Sequence, residues 1–154
     1  HQAMLGAARE RADELKLPLL VLSFDPHPEA YFSPETAPPR LSSLAERVLL
    51  LKEYGVDIAC VMPFVASLAS LAHDEFVNQI LCRDLNARCV VIGDDFHYGK
   101  GRAGNASTLH LAAQEQGFEF LQIASVMHGA SRVSSTEIRS MLAQGKLDQA
   151  AHYL

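Results

Sequence analysis

The chain has 154 residues, 49% of them hydrophobic and 20% charged, with 9 Gly and 7 Pro. That length suits one domain of roughly 100–150 residues, and the composition excludes a disordered, collagen-like or low-complexity protein. Its 13 Lys and Arg against 18 Asp and Glu leave a net charge of -5 with His neutral, which excludes a general nucleic-acid binder, whose affinity comes mainly from neutralised phosphates. No apolar run approaches the roughly 18 residues needed to span a bilayer. Cys60, Cys82 and Cys89 form no C-x-x-C pair and fit reduced residues of a cytosolic domain rather than a disulfide framework or zinc site.

The chain opens on His1 without a signal peptide, as expected for a processed start or a chain cut within a domain. Leu5, Ala8, Ala12 and Leu15 recur at helical spacing, which predicts a helix over about residues 2–16, stopped before Pro18. The apolar run 19–24 predicts a strand buried on both faces of a parallel sheet. A proline-rich loop then runs to Arg40. Leu44, Val48, Leu51 and Tyr54 mark a second helix that Gly55 closes. Residues 56–64 form the next predicted strand. A helix over about 72–85 follows, with Phe76, Ile80 and Leu81 in the core, and then a strand at 89–92. Beyond a glycine-rich loop at 93–104 the pattern predicts a helix over 106–116 ended by Gly117, a strand at 118–123 and two short C-terminal helices. Strands alternating with helices in this way predict an α/β fold with a parallel sheet covered on both faces, in one domain over residues 1–154.

Ligands of such sheets bind outside the carboxyl ends of the strands, so the loops 25–40, 93–105 and 125–135 should gather at one edge. In the first, Asp25 and His27 each precede proline and are driven to extended backbone. The segment fits either a stiff surface loop or an imidazole held at a strand end. In the second, Gly99, Gly101 and Gly104 match G-x-G-x-x-G, but the preceding strand ends near Ile92 and Glu119 begins a strand instead of ending one, so the dinucleotide reading is rejected. What remains is an ordinary turn-rich loop, or one whose backbone, Lys100 and Arg102 approach a phosphate. In the third, Ser134 and Glu137 have capping-box spacing and predict a helix start. A helix N-terminus there, with Ser135, Thr136, Arg139 one turn on and Arg132 flanking it, suits a phosphate. His73, His110, His128 and His152 lack partners at metal-ligand spacing and fit surface positions.

Phe24-Asp25-Pro26-His27-Pro28, Ala37-Pro38-Pro39-Arg40-Leu41, Gly55-Val56-Asp57, Pro63-Phe64, Gly93-Asp94-Asp95-Phe96-His97-Tyr98-Gly99 and Arg132-Val133-Ser134-Ser135-Thr136-Glu137-Ile138-Arg139 occur in this order. Together they resemble the FMN adenylyltransferase domain of the bacterial bifunctional riboflavin kinase/FMN adenylyltransferase (FAD synthetase) family, over essentially the whole chain. The resemblance implies a Rossmann-like nucleotidyltransferase fold and the reaction ATP + FMN → FAD + pyrophosphate. It implies that Ser135, Thr136 and Arg139 hold the ATP triphosphate with help from Arg132, that Asp95 lies near the nucleotide, and that Phe24, Pro26, His27 and Pro28 shape the flavin side. His1 matches the last histidine of the family's phosphate-binding segment G-x-F-D-G-x-H-x-G-H, and with Arg139 is the expected catalytic pair. Magnesium is expected to come with ATP, no protein metal cage is visible, and a C-terminal riboflavin kinase domain is the expected partner. The family's strand order, 3-2-1-4-5, makes its first strand central, and that strand has no counterpart here. The strands near 19–24 and 89–93 are therefore expected not to pair directly but to stand roughly 9.5 Å apart, about two strand spacings. Two further readings fit the same residues: another nucleotidyltransferase of this fold with a different phosphate acceptor, and an inactive nucleotide-binding module.

Overall fold

A computed structural model of the chain describes residues 1–128 and 131–153. Helix α1 (Gln2–Leu15) ends where Lys16 turns into the left-handed region. Strand β1 (Leu20–Asp25) pairs in parallel with β2 (Ile58–Pro63), and β3 (Cys89–Gly93) with β4 (Glu119–Ile123). Helix α3 (Leu44–Glu53) links β1 to β2 and carries a complete capping box between Ser43 and Glu46. Helix α6 (Ala106–Gln116) links β3 to β4, starting on Asn105 and ending on Gly117.

The alternating faces of the strands build two apolar layers. Leu19 and Val21 of the β1 segment, with Val91 of β3, pack against Leu5, Ala8 and Ala12 of α1. Leu22 and Phe24 of β1, with Val90 and Ile92 of β3, face Phe76, Val77, Ile80 and Leu81 on one side helix and Leu109 and Ala113 of α6. Both layers therefore bridge β1 and β3, yet the two strands are not hydrogen-bonded: the described sheets are the separate pairs β1-β2 and β3-β4. This agrees with the expectation that the strands near 19–24 and 89–93 do not pair directly.

Three local features differ from the sequence reading. The loop after β1 contains a helical turn, α2 (Pro28–Phe32), because Pro28 at its first position presets the backbone and His27 caps it. The expected helix over 72–85 follows a short turn, α4 (Ala66–Ala69), and begins as α5 (His73–Glu75) before widening into a π-helix, Phe76–Asp84. Its end shows the wider closure, with Leu85 N–H donating to the carbonyl of Ile80 at 3.0 Å. The widening leaves Phe76, Val77, Ile80 and Leu81 all buried. A two-stranded ribbon of β5 (Met127–His128) and β6 (Ser131–Arg132) was also unforeseen; strands this short carry no periodicity to detect. The chain closes with α7 (Ser135–Ala143) and α8 (Leu147–Ala151), the two expected helices.

Ion pairs fix the amino ends of the strands. Arg9 reaches Asp57 at 2.7 Å, and Asp57 also accepts from the Leu19 N–H at 2.7 Å. The Arg9 hydrogen bond holds the Asp57 carboxyl below the usual carboxylate range. Arg11 grips Glu119 at the start of β4 through Nε at 2.6 Å and Nη2 at 2.5 Å, and it lowers the Glu119 pKa in the same way. Cys60, Cys82 and Cys89 are free and half-buried. His73 is also half-buried, edge-on to Tyr98 with ring centroids 6.3 Å apart, rather than a surface residue.

Candidate active site

The exits of β1, β3 and β4 and the start of α7 are tied together by side-chain contacts, so the predicted loops do gather at one edge. Gly129 and Ala130 of the third loop, and the side chain of His128, lie outside the described residues.

β1 ends at Asp25, whose peptide bond to Pro26 is cis. His27 is extended, with φ -57 and ψ 140, and its Nδ1 accepts from the Glu29 N–H at 3.3 Å. One imidazole nitrogen is thus occupied in capping α2. That turn places Tyr31 and Phe32 beside Phe64, with ring centroids 5.3 and 5.8 Å away, and Phe24 joins Phe64 at 5.6 Å, all edge-on. Phe64 is buried while Phe32 is 64% exposed. Such an open aromatic shelf suits a planar apolar ring system. Sequence reasoning assigned Phe24 to this side and missed Tyr31 and Phe32; the aromatic pair directly after the Pro-rich motif was the available signal.

The segment 33–43 then crosses the edge. Arg40 pairs with Asp25 at 2.7 Å, and the carbonyl of the preceding residue, Pro39, accepts from Arg139 Nε at 2.7 Å. Arg139 on α7 is therefore joined to the loop of the first strand, a contact between residues distant in sequence that no motif announces. Among the described residues its remaining N–H groups meet no partner, which suits an oxyanion.

At the start of α7, Ser134 caps the helix through Oγ, which accepts from the Glu137 N–H at 3.2 Å. Only this half of the predicted capping box forms among the described residues. Ser135 is half-buried and Thr136 exposed, and their first-turn N–H groups carry the positive end of the helix dipole. Arg132 pairs with Asp95 at 2.7 Å and approaches Asp94 to 3.6 Å. Asp94 in turn accepts from the Ser125 hydroxyl at 2.7 Å and from its N–H at 2.9 Å. Those two donors, the hydroxyl foremost, hold the Asp94 carboxyl below the ordinary range.

The structure thus joins Asp95 to Arg132, and Arg139 through residues 39–40 to Asp25 beside the aromatic shelf. His1 is exposed at the head of α1, where its side chain makes no capping bond. The glycine-rich loop closes on itself through a bridge between Tyr98 and Gly104. Lys100 is tied by its N–H to the Leu71 carbonyl at 2.7 Å, and Arg102 lies 3.4 Å from His97. Among the described residues no three His, Cys, Asp or Glu side chains are placed to hold a metal.

The sequence model of the FAD synthetase family matches residues 1–137. The chain belongs to the FAD synthetase family. It is 41% identical to a bifunctional riboflavin kinase/FMN adenylyltransferase from Pseudomonas fluorescens, over 154 residues that make up 100% of this chain and 49% of the relative. The corresponding enzyme from Haemophilus influenzae is 38% identical over 100% of this chain and 50% of its own length. That from Escherichia coli K12 is 34% identical over 100% and 49%. The chain therefore spans about half the length of the curated FAD synthetase relatives it matches. Its fold is similar to the crystal structure of a macrolide-efflux protein from Streptococcus pneumoniae, with a TM-score of 0.76 and 26% identity over 92% of this chain and 45% of that one. Among the described residues this FAD synthetase family member has no helix long and apolar enough to cross a membrane.

Proposed function

We propose that this chain is the FMN adenylyltransferase part of a cytoplasmic FAD synthetase, transferring AMP from ATP to FMN to give FAD and pyrophosphate. The observation that carries this reading is the 2.7 Å bond from Arg139 on the phosphate-binding helix to Pro39 in the loop of the aromatic shelf. That bond supports an anion site beside a flat apolar one, the arrangement a reaction between a triphosphate and a flavin phosphate requires.

An oxygen of the FMN phosphate attacks the α-phosphorus of ATP. The new P–O bond forms as the bond to the β-phosphate oxygen breaks, and pyrophosphate leaves with no covalent enzyme intermediate. The chain's task is positioning and charge neutralisation. The α7 N-terminus, Ser135, Thr136 and Arg139 hold the triphosphate and Arg132 assists. His1 contacts phosphate, Asp95 lies beside the nucleotide, and Phe24, Pro26, His27 and Pro28 shape the flavin side with Tyr31 and Phe32. Magnesium fits as an ion carried on the phosphates, since it keeps several waters and needs few protein oxygens. A riboflavin kinase domain is the proposed covalent partner, as in the bifunctional relatives. Incubating the full-length protein with FMN, ATP and magnesium should yield FAD on separation of the flavins; unchanged FMN would refute the assignment.

The finer fold reading is that the sheet takes a further parallel strand between β1 and β3. Two apolar layers span both strands, while the facing edges have no strand partner among the described residues. Unpaired edges inside a covered sheet are costly. The β1 and β3 amides should accordingly exchange slowly with solvent in the full-length protein and much faster in the 154-residue chain. Equal exchange in both would remove the extra strand.

A further inference from the structure

We infer that Asp94 is a positioning residue for ATP, acting through Ser125 on Arg132 and the start of α7; the inference rests on the ATP site proposed above. β3 and β4 run in parallel register to Gly93 and Ile123, so Asp94 and Ser125 stand just past the paired ends. Asp94 takes both Ser125 donors, one on each carboxylate oxygen, Oγ–H on Oδ1 at 2.7 Å and N–H on Oδ2 at 2.9 Å. A two-point clip of this kind fixes the direction as well as the position of the chain leaving β4.

What leaves β4 is the ribbon that carries Arg132. Val133 N–H donates to the Val126 carbonyl at 2.9 Å, and Met127 is registered against Arg132. The base of the ribbon, Val126 beside Val133, thus adjoins the clip, and there the returning strand delivers Arg132 and then the Ser134 cap of α7. Asp94 Oδ1 also lies 3.6 Å from Arg132 Nη2, while Asp95 holds the same nitrogen at 2.7 Å. Asp95 is the more exposed carboxylate, 66% against 40% for Asp94. A phosphate can draw Arg132 away from Asp95 while Asp94 keeps the guanidinium over the helix start. The two neighbouring acids therefore divide the work: Asp95 meets solvent and ligand, and Asp94 holds the frame.

The test is a pair of affinities, for ATP with magnesium and for FMN, in the full-length protein and its Asp94→Ala, Asp94→Asn, Ser125→Ala and Arg139→Ala variants. Asp94→Ala should weaken ATP binding about tenfold, the worth of a charge-assisted hydrogen-bond pair, and change FMN binding less than about twofold. Ser125→Ala should weaken ATP about threefold, because only the N–H bond survives. Asp94→Asn, which keeps an acceptor oxygen, should recover part of the loss, and Asp94→Ala combined with Ser125→Ala should be no worse than Asp94→Ala alone. A general loss of structure would instead weaken both ligands together, and that result overturns the inference. So does unchanged ATP affinity in Asp94→Ala, or in Ser125→Ala should the former not fold, while Arg139→Ala binds ATP poorly. If Arg139→Ala too binds ATP normally, it is the proposed ATP site that fails.

Discussion

Arg139→Ala is expected to weaken ATP binding about 100-fold and to leave FMN binding nearly unchanged, the loss of charge-assisted hydrogen bonds worth about 3 kcal/mol to a phosphate already charged in the ground state. Arg139 is half-buried on the first turns of α7, and its Nε is anchored on the Pro39 carbonyl at 2.7 Å. The anchor orients the guanidinium fork, so the charge meets the phosphate without first being immobilised. Arg139→Lys keeps the charge but loses the fork and the anchor, and should fall between the two. The fold should tolerate the Ala change, because a single hydrogen bond to a partly exposed carbonyl contributes only about 1 kcal/mol. Calorimetric titration with each ligand decides the matter: equal ATP affinity in variant and parent removes Arg139 from the phosphate site.

The largest expected effect on stability is at Gly99. A Cβ there would lie 2.6 Å from the His73 Cα and 2.7 Å from the His73 N, both backbone atoms at the head of the helix run that buries Phe76, Val77, Ile80 and Leu81. The backbone is also at φ +72, where any side chain is strained. Gly99→Ala should therefore cost about 3 kcal/mol, from strain and displaced backbone together. Gly101 is the internal control. It sits at φ +64 with nothing within 4 Å of a built Cβ, so Gly101→Ala should cost only about 1 kcal/mol. Urea unfolding of both variants measures the difference, and equal midpoints would show that the close approach at His73 has no energetic weight.

These glycines show how a sequence pattern misleads without its context. Gly99, Gly101 and Gly104 have dinucleotide-fingerprint spacing, but in the fold Gly99 and Gly104 let the loop pack against His73 and the Tyr98 ring. The close approach itself was invisible, since His73 precedes the loop by a strand and a helix. The same limit explains the aromatic shelf. Phe24 was legible as the end of a strand, but Tyr31 and Phe32 join it only because Pro28 and the His27 cap wind a helical turn within the supposed loop.

What the sequence alone determined is what neighbouring residues decide among themselves. Apolar periodicity placed α1, α3, α6 and the parallel strands within a residue or two, and local stop signals such as Gly117 ended them. The Ser134 cap marked the start of α7, the helix proposed to meet a phosphate. The tertiary structure alone decided which charges meet there. The Asp94–Ser125 clip, the Arg132–Asp95 pair and the Arg139–Pro39 bond join positions 31, 37 and 100 residues apart. A contact of that kind leaves no local pattern, because it exists only once two apolar layers have brought the strand ends to a common edge.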